Sequence, residues 1–167
     1  MRNRVSLLAG FVAVVILCAI DSFTKKLASA FLKDKDDIVI IPKVLVLRYL
    51  ENTGAAFGLF KGMSVIFIIL SIAVCFYIVF TLLRMQADKR FLPLRIDLFV
   101  LMAGAIGNLI DRIRMGYVVD FIYFKLIDFP IFNVADIYVT VSIAVLVLLL
   151  LFYYKDDDFE QITGRQI

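Results

Sequence analysis

Asp120 and Asp136 are the residues through which this sequence could do chemistry. They stand sixteen positions apart, each beside a long apolar run, with a fifteen-residue loop between them. The loop leaves and returns on the same side of the apolar runs, so the two carboxyls can meet. Two acids in one site cannot both ionise easily; one pKa rises, and the pair offers a carboxylate base beside a carboxylic acid. That suffices for water to attack an amide without His, metal or a covalent nucleophile. The sequence has no His and only two Cys, which removes Ser-His-Asp and Cys-His hydrolases, haem held by His and every His-ligated zinc site. Cys18 and Cys75 sit inside apolar runs and read as small buried hydrophobes.

Other polar groups fall near the same chain ends: Asp21, Thr24 and Lys25; Asn52; Asn108, Asp111 and Arg112; Asn133. Charges at membrane depth cost free energy, about 2.5–3.5 kcal/mol each at a helix centre and less near the interface. Each group also has a plain structural reading. Asp21 and Lys25 form an i, i+4 pair. Asn133 with Asp136 three residues later has the outline of a helix N-cap. Asp111 and Arg112 could pair with each other, or the Arg could snorkel to headgroups.

The elements that must position these residues are membrane spans. Of the 167 residues 63% are hydrophobic and 20% charged, with a mean hydropathy of +0.97. A water-soluble fold of this length cannot hide so much apolar surface, which excludes an ordinary soluble enzyme, a disordered chain and a disulfide scaffold. A net charge of +3 mixed evenly with acids gives no footprint for nucleic acid. Four apolar segments approach the roughly 20 residues needed to cross a bilayer, at about residues 5–24, 63–83, 91–113 and 137–154. The first is uncharged from Val5 to Ile20. It reads as a retained span, because the small-residue stretch Ala28-Ser29-Ala30 lies too far beyond it, past Asp21, Lys25 and Lys26, for signal-peptide cleavage.

The expected fold is a membrane all-α single domain, four transmembrane helices with a small β-rich segment between helices 1 and 2. The segments 28–62 and 115–135 share one side, and 155–167 is a solvated acidic tail. Residues 38–41 and 44–50, β-branched runs split by Pro42-Lys43, read as a hairpin or small sheet. Counting Lys and Arg does not decide orientation, although the Arg-dense short segments favour cytoplasmic termini. Ala103-Gly104-Ala105 with Gly107 permits close approach of a neighbouring helix or of an apolar substrate segment. Two rival readings are a proton-relay or transport subunit built on intramembrane Asp and Arg, and a serine–lysine peptidase using Ser22 or Ser29 with Lys25 or Lys26.

Three blocks in register sharpen this reading: Asn52-Thr-Gly-Ala-Ala-Phe57; Gly107-Asn-Leu-Ile-Asp-Arg112 with Gly116-Tyr-Val-Val-Asp-Phe121; and Phe132-Asn-Val-Ala-Asp136. They closely resemble the signature blocks of the lipoprotein signal peptidases (signal peptidase II), and the resemblance covers all but the acidic tail. It departs from the family pattern at Ser22 and Ile137. The resemblance implies a bacterial inner-membrane aspartyl peptidase that cuts prolipoproteins just before a diacylglyceryl-modified Cys, with Asp120 and Asp136 as the catalytic pair. It implies that Asn52, Asn108, Arg112 and Asn133 hold substrate backbone and orient the dyad, that Asp111 supports them, and that Asp21 and Lys25 belong to the block ending the first span. It further implies cytoplasmic termini and an extracytoplasmic β-rich cradle. The expected partners are prolipoproteins and membrane lipid. No cofactor, metal or nucleic acid is expected, and a monomer is.

Overall fold

The computed structural model describes residues 2–54, 62–85, 88–155 and 157–158. Residues 55–57 of the first block, and Asp156 and Glu160 of the acidic tail, lie outside the described residues. Among those described, four helices are long and apolar enough to cross a membrane. In lipid an apolar run must satisfy its backbone polar groups internally, and a helix does this within one segment. The helices are α1 (Arg2–Leu32), α2 (Ser64–Arg84), α3 (Leu92–Met115) and α4 (Val134–Leu148), the last continued by a π turn over Leu149–Tyr153.

Helix α3 packs against α1, α2 and α4 and is shielded from lipid by all three. That shielding explains why this helix carries buried Arg95, Asp97, Asn108 and Asp111. Pro93 lies in its first turn, where its missing N–H has no helical partner to lose. Gly116 closes its far end in the left-handed conformation (φ +80°), donating its N–H to the Arg112 carbonyl at 3.0 Å.

Two helices exceed their expected bounds by three residues or more. Helix α1 runs past residue 24 to Leu32, because its last turns are covered: Ala28 and Leu32 form a small core with Val119 and Phe121. Its 31 residues give about 46 Å of length, more than a hydrocarbon core of about 30 Å. Helix α4 begins at Val134 rather than 137, because Asn133 caps it.

The sheet has three antiparallel strands in the order β1 (Ile38–Ile41), β2 (Leu45–Asn52) and β3 (Val118–Phe124). The hairpin between α1 and α2 is joined by a strand from the α3–α4 connection, outside the β-rich segment that the sequence predicts. Register runs from Leu45 opposite Phe124 to Asn52 opposite Val118, with a shift between Leu47 and Leu50. After β3 the chain folds back, and Phe132 exchanges backbone hydrogen bonds with Ile122 at 2.8 and 3.0 Å. This return sets residue 133 beside the strand.

The small residues of α3 serve bundle packing. A methyl group on Gly104 would sit 2.6 Å from the Ala135 carbonyl oxygen and 2.8 Å from Val139 Cγ2; one on Gly107 would sit 2.7 Å from Asp21 Oδ2. Gly104→Ala is therefore expected to push α4 away at the turn that carries Asp136. The expected cost is about 1–3 kcal/mol of stability, read as earlier thermal unfolding in detergent with a matching loss of turnover.

Candidate active site

Strand β3 has two faces. Val119 and Phe121 enter the core beneath α1, so by strand alternation Val118 and Asp120 face the other way. There they line a cavity of about 460 Å³ together with Asn52, Asn108, Arg112 and Asp136. The cavity's remaining wall is largely apolar, with Phe67, Ile131, Phe132 and Ile137 among it. Five of the nine candidate residues thus share one chamber.

Asp120 is 1% exposed, yet both its oxygens are satisfied. Oδ2 accepts from Asn52 Nδ2 at 2.8 Å and Oδ1 from Asn133 Nδ2 at 2.7 Å. Burial, then the neighbouring Asp136 charge, pushes its pKa up from the ordinary carboxylate value to about 7, against the pull of the two amide donors. The two acids are therefore within electrostatic reach of each other.

Asn133 performs two tasks. Its Oδ1 accepts the Asp136 N–H at 3.0 Å while its own N–H donates to Asp136 Oδ2 at 3.0 Å, a reciprocal capping box. Its remaining amide protons go to Asp120 Oδ1 and, at 3.1 Å, to Asn108 Oδ1. The plain reading of Asn133 and Asp136 as a helix cap is correct, and the cap itself ties Asp136 to Asp120.

Asn108 completes the link. Its Oδ1 accepts from Lys25 Nζ at 3.0 Å and from Asn133, which turns Nδ2 toward Asp136 Oδ1 at 2.8 Å. Lys25 lies behind the chamber, 3% exposed, paired with Asp21 Oδ2 at 2.8 Å and Asp111 Oδ2 at 3.0 Å. Asp111 thus finds Lys25 as its counter-ion, and it also accepts the Val119 N–H at 3.4 Å. Asp21 Oδ1 accepts the Ala135 N–H at 2.9 Å, fixing the first turn of α4 to α1.

Arg112 reaches the Gly54 carbonyl through Nη2 at 3.4 Å and lies 5.0 Å from the centre of the Phe67 ring. Its Nε is buried without a hydrogen-bond partner. Gly54, Phe67 and the Ala135 N–H were not singled out by residue type; only their place in or beside the matched blocks signals the first and third. Thr24 stands apart, its hydroxyl donating to the Asp21 carbonyl within its own helix. Ser29 likewise donates to the Lys25 carbonyl at 2.9 Å, while Lys25 Nζ is held by two acids and an amide. Neither arrangement suits serine–lysine chemistry. Among the described residues no group of three or more His, Cys, Asp or Glu could hold a metal.

The sequence profile of the signal peptidase (SPase) II family matches residues 13–152. The lipoprotein signal peptidase of Clostridium tetani is 39% identical over 152 residues, covering 89% of this chain and 94% of that one. That of Streptococcus pyogenes serotype M5 is 32% identical over 161 residues, covering 95% and 99%. A bacterial membrane enzyme solved by the in meso method at 2.3 Å resolution superposes with a TM-score of 0.78 at 29% identity, covering 95% of this chain and 94% of that one. A second, at 1.9 Å resolution, gives a TM-score of 0.76 at 31% identity over 87% and 94%. With the profile spanning all four helices and both connections that build the chamber, the chain belongs to the signal peptidase II family.

Proposed function

We propose that this protein is an aspartyl endopeptidase of the bacterial inner membrane. It removes signal peptides from prolipoproteins, cutting amino-terminal to a Cys that carries diacylglycerol. The observation that carries this reading is the unbroken hydrogen-bonded chain Asp120–Asn133–Asn108–Asp136, whose two acids and Asn108 line one cavity. One of Asp120 and Asp136 acts as a carboxylate base and the other as a carboxylic acid. The ionised member takes a proton from water as the water oxygen bonds to the scissile carbonyl carbon. The protonated member gives its proton to the carbonyl oxygen. Collapse of the tetrahedral intermediate breaks the C–N bond: one acid gives its proton to the departing amine nitrogen while the ionised one takes a proton from a gem-diol hydroxyl, which leaves a carboxylic acid and returns the dyad to its starting state.

Arg112, with a free Nε, and Asn52 supply donors for the backbone carbonyls of an extended peptide, which fixes position without reading side chains. Asp21, Lys25 and Asp111 hold Asn108 and α4 in place from behind. The apolar wall suits a lipidated substrate whose acyl chains remain in the bilayer. Both termini are assigned to the cytoplasm and the chamber to the extracytoplasmic face; Arg84, Lys89, Arg90 and Arg95 at the opposite end of α2 and α3 support this. The working unit is taken as a monomer, without cofactor, metal or nucleic acid.

Purified protein incubated with a diacylglyceryl-modified precursor should shift its size, while the unlipidated precursor stays intact. Equal cleavage of both, or of neither, defeats the reading. The pH dependence gives a further check. The Asp120 proton is lost as pH rises through about 7, so turnover should fall across that range. Stability follows the same sign: folded Asp120 binds its proton more tightly than the unfolded chain. Its contribution is complete below the ordinary value of 3.8 and disappears as pH climbs through about 7.

A further inference from the structure

Strand β3 separates two cavities. Opposite the chamber, on the α1 side, lies a groove of about 290 Å³ lined by Thr24, Ala28 and Phe31 of α1, Ile38 of β1, Leu47 of β2 and Phe121 of β3. Apart from the Thr24 hydroxyl, already bonded to its own helix, these side chains are apolar. The volume falls just under the roughly 300–1,000 Å³ of drug-sized sites, which suits a single flexible chain better than a folded ligand.

Three features indicate what fills it. The lipid-facing side of α1 presents exposed Ile16, Ile20, Phe23, Leu27 and Phe31, and its last two members line the groove, so the groove is continuous with the bilayer surface. Strand β1, Ile38-Val39-Ile40-Ile41, is apolar on both faces, and every residue in it is 44–57% exposed. An edge strand in water carries charges or Pro on its exposed side; one that is apolar on both sides fits lipid. Finally, Lys35 Nζ lies 5.9 Å from the centre of the Phe31 ring, at the groove, donating to the Ala30 carbonyl at 2.9 Å with its charge exposed. This cation matches a phosphate headgroup at the end of an acyl chain.

We propose that this groove binds an acyl chain of a bulk phospholipid from the leaflet on the sheet side, with β1 immersed at the headgroup boundary and the phosphate near Lys35. The back of the strand bearing Asp120 then rests on lipid.

The sequence contains no Trp, so an introduced indole is the sole tryptophan emitter. Full-length Leu47→Trp and Ile38→Trp variants, in separate phosphatidylglycerol–phosphatidylcholine vesicles free of prolipoprotein, would be quenched with acyl-brominated phospholipid or with iodide. Both positions line the groove, and they face each other across the β1–β2 pairing, so either serves if the other fails to fold. We expect acyl bromines to reduce emission at least about two-fold and iodide to have little effect. Adding Thr24→Phe, which occupies the groove, should relieve the acyl quenching of Leu47→Trp. Quenching by iodide instead, or by neither agent, overturns the proposal. Recovery of emission on adding a diacylglyceryl-modified peptide would overturn it too, assigning the groove to substrate lipid.

Discussion

Exchange of Asp120 or Asp136 for Asn is expected to lower turnover of a lipidated precursor by about 10²–10⁴-fold while the protein stays folded and inserted. Asn keeps the shape of Asp but cannot take a proton from water or hand one to a carbonyl oxygen. The structural penalty has a definite origin. Both oxygens of Asp120 accept from amide donors, and Asn52 cannot reverse its amide because its Oδ1 already accepts the Gly54 N–H at 3.0 Å. One NH₂ in Asp120→Asn therefore confronts a donor, a cost of about 1–3 kcal/mol. Asp136→Asn meets the same conflict, since Asn108 Nδ2 and the Asn133 N–H occupy its two oxygens. The loss should appear in kcat rather than KM, and the double variant should be no worse than the poorer single one, because the two acids act as a unit. A gel-shift time course read beside a melting curve separates the catalytic loss from the modest loss of stability. Full activity in either folded single variant would remove the aspartyl mechanism.

How far the sequence could reach depends on the kind of force involved. The bilayer imposes one geometry on a long uncharged run, so Ser64–Arg84 could be read from composition alone. The hairpin was legible because Ile38–Ile41 and the run ending near Leu50 are β-branched and punctuated by Pro42. Val118–Phe124 is equally β-prone, but its pairing with β2 is a long-range event, and nothing local distinguishes it from an aromatic loop. The same holds for the site. Asp120 and Asp136 were visible as chemistry, and the Asn133 cap was visible as a pattern. That the cap and the dyad are one hydrogen-bonded object depends on Phe132 folding back onto Ile122, which no spacing rule encodes. The groove behind β3 was invisible for a similar reason: it exists only because α1 continues past residue 24 to meet the sheet.

The second large effect falls on Lys25, whose removal should undermine the site from below. One ammonium joins Asp21, Asp111 and Asn108 at 2.8–3.0 Å in a buried setting. Lys25→Met has similar length and no charge, so it leaves two buried carboxyls facing each other without a cation. Breaking a buried ion pair by removing one partner costs about 3–5 kcal/mol, and here two pairs are broken at once. Lys25→Arg should not restore the wild-type state: the three acceptors converge on one nitrogen, whereas a guanidinium spreads its donors over a wider planar fork. Adding Asp111→Asn to Lys25→Met should recover part of the stability by removing one of the stranded charges. Turnover should not recover with it. Without the ammonium, Asn108 Oδ1 keeps only the Asn133 donor, and the amide is held less firmly against Asp136. Melting temperature and turnover in the single and double variants would therefore diverge. If they instead recover together, Lys25 only stabilises the bundle and takes no part in holding the dyad.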